Sequence, residues 1–356
     1  MPVQKEFSLR TILQLSIDKA ASDIHIMAYR RPIIRVDGVL IESQEFDVVD
    51  PDHFEKLMLS ELSQAQQEFL KNVRELGFVE HMPSGHRFRV NLFWERGHLA
   101  LAARLVPVVI PTMQDVELPA PAVAFTQLDQ GLVLVTGQTG NGKSTTLAAM
   151  IDHINQDRAL NIITFEDPIE FLIPPKKSIV RQRELGSDIN SVKESLKYVV
   201  RHDPDVIVVG EMRDSETISM TITLAETGHL VFSTLHTFDA SQTIHRIIDS
   251  FPPEQQTQIR LQLAMTLRGI ISQRLIPRAA GKGRVAAREI LINNAAVANL
   301  IRENKVEQIP TILQTGNSTG MMTMDQHLIS LYKNKTITKE TACAHMLHPE
   351  FLEKMV

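Results

Sequence analysis

The sequence carries a single cysteine, Cys343, among 356 residues. No disulfide can form within the chain, and no cysteine zinc cluster can be built. Cys343 itself reads as a small apolar residue on a C-terminal helix. Aromatic residues make up only 5%, with one tryptophan and three tyrosines, and no platform for stacking nucleic-acid bases is evident. Positive charge is not in excess either: 37 Lys and Arg against 42 Asp and Glu leave a net charge of −5. A nucleic-acid partner, which would lean on surplus positive charge, is therefore not expected. No apolar run approaches the length of a membrane span. The opening stretch MPVQKEFSLRTILQLSIDKA mixes charge into its apolar pattern, so neither a signal peptide nor an anchor is expected there. A cytoplasmic protein is the expectation.

What is present is the balance of an ordinary folded chain, 43% hydrophobic and 22% charged, long enough for two domains. Residues 1–106 read as a small α+β domain. Ser8 caps an amphipathic helix reaching Ala20, SDIHIMAY alternates as a strand, and Asp37-Gly38 marks a hairpin. Two helical stretches run from about Pro51 to Asn72, and a second ribbon turns near Gly97. Residues 107–122 hold several prolines and no sustained period, which reads as a semi-rigid linker. From 123 to 356 the pattern changes. GLVLVTG, NIITFED, DVIVVGE and HLVFSTLHT are short apolar runs separated by helical segments near 143–156, 190–202 and 215–227. That alternation predicts an α/β domain with a parallel sheet covered on both faces. After residue 240 the chain reads as mostly helical. PPEQQTQIRLQLAMTLRGIISQRL is its longest helical stretch, and RVAAREILI is one edge strand.

GLVLVTGQTGNGKSTTLAAM matches G-x-x-x-x-G-K-[ST] through Gly137, Gly142, Lys143 and Ser144. Glycines let the backbone wrap tightly, so that several N–H groups point at one phosphate. The positive end of the following helix adds to them. Lys143 can reach the β- and γ-phosphates, and the Ser144 hydroxyl can bind Mg²⁺. Thr139, Gly140, Asn141 and Thr145 complete the nucleotide-binding stretch. ATP and Mg²⁺ are the expected ligands.

In a parallel sheet, ligands sit beyond the carboxyl ends of the strands. DVIVVGE delivers Glu211 to that edge behind Gly210, a residue small enough to admit neighbouring backbone. ITFEDPIE delivers Glu166, with Asp167 and Glu170 following. Hydrolysis needs an oriented water and a metal ion, and two strands bearing carboxylates beside a phosphate loop can divide those tasks. Glu166 and Glu211 are the expected catalytic acids, Glu211 also at the metal. For Asp167 and Glu170 the alternative is capping of the turn after Pro168. His236 closes HLVFSTLHT at the phosphate edge, where a neutral imidazole can hydrogen-bond a γ-phosphate or relay its presence. His229 opens that run at the far end and is the weaker of the two catalytic candidates.

GQTGNGKST, ITFEDPIEF, DPDVIVVGEMRD and TGHLVFSTLHT resemble, in order, the Walker A, Asp box, Walker B and His box of the secretion-superfamily ATPases. ASDIHI, RFRVNLF, RIIDSFPPEQQ and GMMTMDQHL extend the resemblance over essentially the whole chain, toward the PilT-type retraction motors of type IV pili. The resemblance implies an N-terminal PAS-like domain, a RecA-like ATPase domain and a hexameric ring with each nucleotide between the two domains. It implies that the Walker B glutamate, Glu211, assists at the metal and that the Asp-box glutamate, Glu166, prepares the attacking water. Arginines of the N-terminal domain, matched by Arg89 and Arg104 and less well by Arg96, would complete the site; the alternative for each is a solvated strand arginine. The implied partners are an inner-membrane pilus platform protein and a paralogous pilus ATPase. The place of action is the cytoplasmic face of the inner membrane, reached through the pilus machine only.

The single cysteine excludes the four-cysteine zinc module common in the longer extension motors. Three departures stand out. AVANLIRE, ending at Glu303, has Ala298 where the retraction motif AIRNLIRE has arginine. Phe238 stands where asparagine is usual, and Gln138 and Asn141 replace the common Pro and Ser of the phosphate loop. The alternatives to a retraction motor are an accessory PilU-type ATPase, an assembly motor of the PilB type, a nucleotide-gated interaction protein with negligible hydrolysis, and a nucleic-acid translocase.

Overall fold

A computed structural model describes residues 7–36, 38–106, 109–281 and 283–353. The chain divides into two compact units, Met1–Val109 and Ile110–Val356.

The first unit opens with α1 (Leu9–Asp18). Ser8 caps it reciprocally: its hydroxyl accepts from the Thr11 N–H at 3.2 Å, while its own N–H donates to Thr11 Oγ1 at 3.0 Å. Strands β1 (Asp23–Ile26), β2 (Ile33–Val36) and β3 (Val39–Glu42) follow, then helices α2 (Pro51–Glu61) and α3 (Gln64–Val73). Strands β4 (Glu75–His81), β5 (Arg87–Glu95) and β6 (His98–Val106) complete an antiparallel sheet in the order β3-β2-β1-β6-β5-β4. The ribbon expected to turn near Gly97 does so, with Arg96 and Gly97 both at positive φ, 52° and 85°. The hairpin at Asp37-Gly38 pairs Val36 with Val39; Asp37 itself lies outside the described residues. The apolar pattern of α1 buries Leu9, Ile12, Leu13 and Leu15 against Ile24, Phe54 and Phe88 in one core. This antiparallel sheet with helices matches the PAS-like expectation.

The second unit starts inside the stretch read as a linker, where Met113, Leu118 and Ala122 are buried in one of that unit's hydrophobic clusters. After α4 (Ala120–Val123) come β7 (Gly131–Thr136), α5 (Lys143–Asp157), β8 (Asn161–Glu166), β9 (Ile179–Glu184), α6 (Val192–Val199), β10 (Val206–Val209), α7 (Ser215–Glu226) and β11 (Leu230–Leu235). Then follow α8 (Ala240–Asp249), α9 (Pro253–Thr266), β12 (Leu267–Pro277), β13 (Arg284–Ile292) and α10 (Ala295–Arg302), with further short helices to the end. The sheet order is β13-β12-β7-β11-β10-β8-β9. Strands β12 to β9 in that order run parallel, and β13 is an antiparallel edge. Alternate residues of β7 go to opposite faces: Leu132 and Leu134 pack under α7, α8 and α9, whereas Val133 and Val135 pack under α5. The sheet is thus covered on both sides, as the apolar runs predict.

One helical reading overran. The stretch after Pro253 is helical only to Thr266, and Leu267–Pro277 is an eleven-residue strand beside β7. The adjacent β-branched Ile270 and Ile271 are both fully buried, one on each face of the sheet. Gly269 admits the Phe125 ring, which a Cβ there would strike. Strand RVAAREILI is β13, as expected. Two edge strands, β4 and β9, were not expected; β9 reads IVRQRE, and its charge hides it.

Candidate active site

The carboxyl ends of β7, β8, β10 and β11 border a crevice of about 1060 Å³. Its walls include Lys143, Ser144, Glu166, Glu211, Arg213 and His236. Thr139, Gly140, Gly142 and Thr145 of the glycine-rich loop line it as well. The loop leaves β7 at Gly137, with φ 146°, and a Cβ there would collide with the Gln273 carbonyl of β12. Gly140 and Gly142 sit at φ 81° and 77°, in the left-handed region that side chains resist.

Strand β12 supports this loop from below, a role that no sequence signal announced. Gln273 is buried; its Nε2 donates to Asn141 O at 2.7 Å and its Oε1 accepts from Thr146 Oγ1 at 2.9 Å. The Leu275 N–H donates to Asn141 Oδ1 at 3.2 Å. Asn141 therefore does not line the crevice but ties the loop to the sheet. Lys143 is buried, and its ammonium donates to Gly137 O at 2.7 Å and Gln138 O at 3.2 Å. Burial pulls its pKa below the usual lysine range, against the opposing pull of Glu211 and Glu170.

Strands β8 and β10 are neighbours, with Phe165 opposite Val209. Gly210 follows, and a Cβ on it would stand 3.0 Å from Phe165 O. Glu166 ends β8. Its Oε1 accepts from Thr164 Oγ1 at 2.6 Å and from Gln182 Nε2 at 3.0 Å. Burial pushes its carboxyl above the ordinary glutamate range; hydrogen bonds from Thr164, Gln182 and the Glu170 N–H pull it back in part. Glu211 has other neighbours. Arg213 Nε donates to its Oε2 at 2.8 Å, and His236 Nε2 lies 3.2 Å from its Oε1. Arg213 also bridges to Asp167 Oδ2 at 3.0 Å, and the ion pairs raise the guanidinium pKa. His236 reaches back through Nδ1 to Thr139 Oγ1 at 3.3 Å. Thr139, His236, Glu211, Arg213 and Asp167 thus form a continuous polar chain from the phosphate loop to the end of β8.

Asp167 and Glu170, for which turn capping was the alternative, both line the crevice. His229 does not. It opens β11 at the other end of that strand, where its Nδ1 lies 2.9 Å from Leu224 O and 3.2 Å from Thr227 Oγ1. It closes the end of α7, a strand-length from His236 and at the far end where the sequence puts it, so the crevice does not bring it together with the other catalytic candidates. Behind His236, the buried Glu289 accepts the Ala240 N–H at 2.9 Å and fixes the start of α8; burial pushes its carboxyl up to about 7.

Arg89 and Arg104 belong to the first unit and stand opposite each other across β5 and β6. Arg104 Nε donates to Asp23 Oδ1 at 2.7 Å while its side chain stays 68% exposed. Burial resists ionisation of Asp23, but hydrogen bonds from Ser22 and Arg104 hold its carboxyl below the usual range. Arg96 is a turn residue.

Among the described residues no cluster of three or more His, Cys, Asp or Glu side chains could cage a metal ion. Magnesium needs no such cage, since it keeps waters and phosphate oxygens as ligands and takes one or two protein oxygens. The Ser144 hydroxyl and the Glu211 carboxylate line one crevice with the phosphate loop and are oxygen donors, so the donor set fits.

Residues 115–348 match the family described as Type II/IV secretion system protein. The type IV pilus retraction ATPase PilT of Pseudomonas aeruginosa is 42% identical over 339 residues, 95% of this chain and 98% of that protein. A twitching motility protein of Neisseria gonorrhoeae is 42% identical over 336 residues, 94% and 90% of the two chains. The crystal structure of the pilus retraction motor PilT with bound ADP has a TM-score of 0.91 at 45% identity, covering 98% of this chain and 100% of that one.

Proposed function

This chain belongs to the type II/IV secretion system protein family, and from that premise we propose that it is an ATP-hydrolysing motor of type IV pilus retraction. The observation that carries the reading is the single crevice in which a phosphate loop faces Glu166, Glu211 and His236. Likeness to retraction motors along nearly the full length of both chains supports it.

The chemistry follows from the residues. Loop N–H groups and the N-terminus of α5 bind the β- and γ-phosphates, and Lys143 turns from its two backbone carbonyls to join them. Glu166 takes a proton from the water that attacks the γ-phosphorus; the bond to the β-phosphate oxygen breaks, and ADP and phosphate leave. A carboxyl with raised proton affinity suits that task. His236 reports phosphate contact from Thr139 to Glu211. The Ser144 hydroxyl and the Glu211 carboxylate would hold a magnesium ion, which when bound would neutralise charge at the phosphates. Arg89 and Arg104 are assigned to the closing lid of a six-membered ring, where a guanidinium stabilises transition-state charge only on closure.

The ring would drive an inner-membrane platform protein from the cytoplasmic face, beside a paralogous pilus ATPase. Membrane association would come only through the pilus machine; among the described residues no helix is long and apolar enough to cross a membrane. Lys143→Ala is expected to abolish phosphate release by the folded, purified protein; unchanged release would remove the phosphate loop from the site. A second reading, an accessory retraction ATPase, draws on Ala298, half-buried on α10 where the retraction motif carries arginine. Deleting the gene separates the roles: excess surface pili with lost twitching fits a main retraction motor, unchanged twitching an accessory one, and bald cells an assembly motor.

A further inference from the structure

Strand β9 pairs with β8 from Asn161↔Ile179 to Glu166↔Glu184, so Gln182 stands opposite Thr164. Gln182 and Glu184 are two residues apart and share a face of the strand. That face holds the segment that follows Glu166. The Ile169 N–H donates to Glu184 Oε2 at 3.1 Å. The Ile173 N–H donates to Gln182 Oε1 at 2.8 Å. Gln182 Nε2 donates to Phe171 O at 2.8 Å and to Glu166 Oε1 at 3.0 Å. One amide therefore gives both N–H groups and accepts with its oxygen, which fixes which way round it lies. Its second N–H meets the Thr164 hydroxyl on the same oxygen of Glu166.

We propose that Gln182 is the positioning residue for Glu166, fixing the direction of that carboxylate and coupling it to the segment 167–173. The proposal rests on the reading of Glu166 as acceptor of the water's proton. A neutral amide suits the role where a lysine would not: it orients the carboxylate without pairing its charge, so basicity survives. The other charged or titratable groups that share the crevice with Glu166 are Asp167 and Glu170 on the following segment and Lys143, Lys193, Glu211, Arg213, Asp214, His236 and Arg284, with Glu184 across the register. Altering Gln182 removes none of these charges, though it releases the Phe171 carbonyl and, where no acceptor remains, the Ile173 N–H on the segment that carries Asp167 and Glu170.

The test is the pH dependence of ATP turnover by the full-length protein. Gln182→Met keeps the bulk and removes every hydrogen bond. It should lower kcat roughly tenfold or more, the worth of one hydrogen bond to a charged group, and leave KM for ATP unchanged. Because the Gln182 bond favours the ionised carboxylate, its loss should move the acid limb of the kcat profile to higher pH. Gln182→Glu keeps the acceptor for Ile173 and should move the limb further up, since it adds a like charge. Thr164→Val removes only the other side-chain donor and should move it in the same direction. A limb that moves in Thr164→Val but stays fixed in both Gln182 variants overturns the proposal while leaving Glu166 in its role. Wild-type turnover in Glu166→Gln would overturn the role of Glu166 itself, and the proposal with it.

Discussion

Strands β8 and β10 lie side by side and each ends in a glutamate, yet the two carboxylates keep opposite company. Glu166 is held by neutral donors, the Thr164 hydroxyl, the Gln182 amide and a backbone N–H. Glu211, one strand away, sits between the Arg213 guanidinium and the His236 ring. Neutral donors orient a carboxylate and leave it free to take a proton. A cationic partner suits a carboxylate that must stay anionic beside a metal ion and its phosphates. The difference teaches that one sheet edge can set two like groups to different tasks through the partners that hold each carboxylate.

The sharpest way to break this comparison is to remove the two charges in turn. Glu166→Gln should reduce kcat by about 10²–10⁴-fold, the range of a general base, with KM for ATP and the magnesium requirement unchanged. Steady-state phosphate release checks it. Glu211→Gln should cost less, about 10–100-fold, and should raise the magnesium concentration needed for half-maximal rate. Identical magnesium curves for the two variants would collapse the distinction. A smaller effect lies in stability. The folded pKa of Glu166 is raised above its unfolded value, so its contribution is fully present below the ordinary glutamate pKa of about 4 and is lost as pH rises through the folded one. Glu166→Gln should therefore melt at a higher temperature than the parent at neutral pH, and the gain should vanish below about pH 4. Thermal unfolding at the two pH values reads it; a gain that persists at low pH would point to packing rather than charge.

How far these roles could be read from the sequence depends on how far apart the partners lie along the chain. Lys143 meets the carbonyl of Gly137, six residues back, so the phosphate loop is a local motif and was legible whole. Strands β7, β8, β10 and β11 announced themselves as apolar runs because both faces of each are buried. Gln182 and Gln273 carry no such mark. Gln273 supports Asn141 from 132 residues away, on a strand mistaken for the end of a helix. Gln182 touches Glu166 only because β9, a charged edge strand, pairs with β8. His229 shows the local side of the same rule: the six-residue strand between the two histidines puts them at opposite ends of the sheet, as their order in the motif already indicates. The first unit was legible where hairpin turns punctuate it, at Gly97 above all; β4 was missed although Pro83-Ser84-Gly85, with Gly85 at φ 83°, turns it into β5, because its sequence ELGFVEH mixes charge and glycine into the strand.

The most direct test of the account is a structure of the protein with magnesium and a non-hydrolysable ATP analogue. The account predicts the γ-phosphate between the two strand ends, one ordered water joining it to Glu166, and Glu211 turned to the metal or its water shell. A triphosphate bound on the loop with Glu166 and Glu211 both out of reach of its γ-phosphate would contradict it.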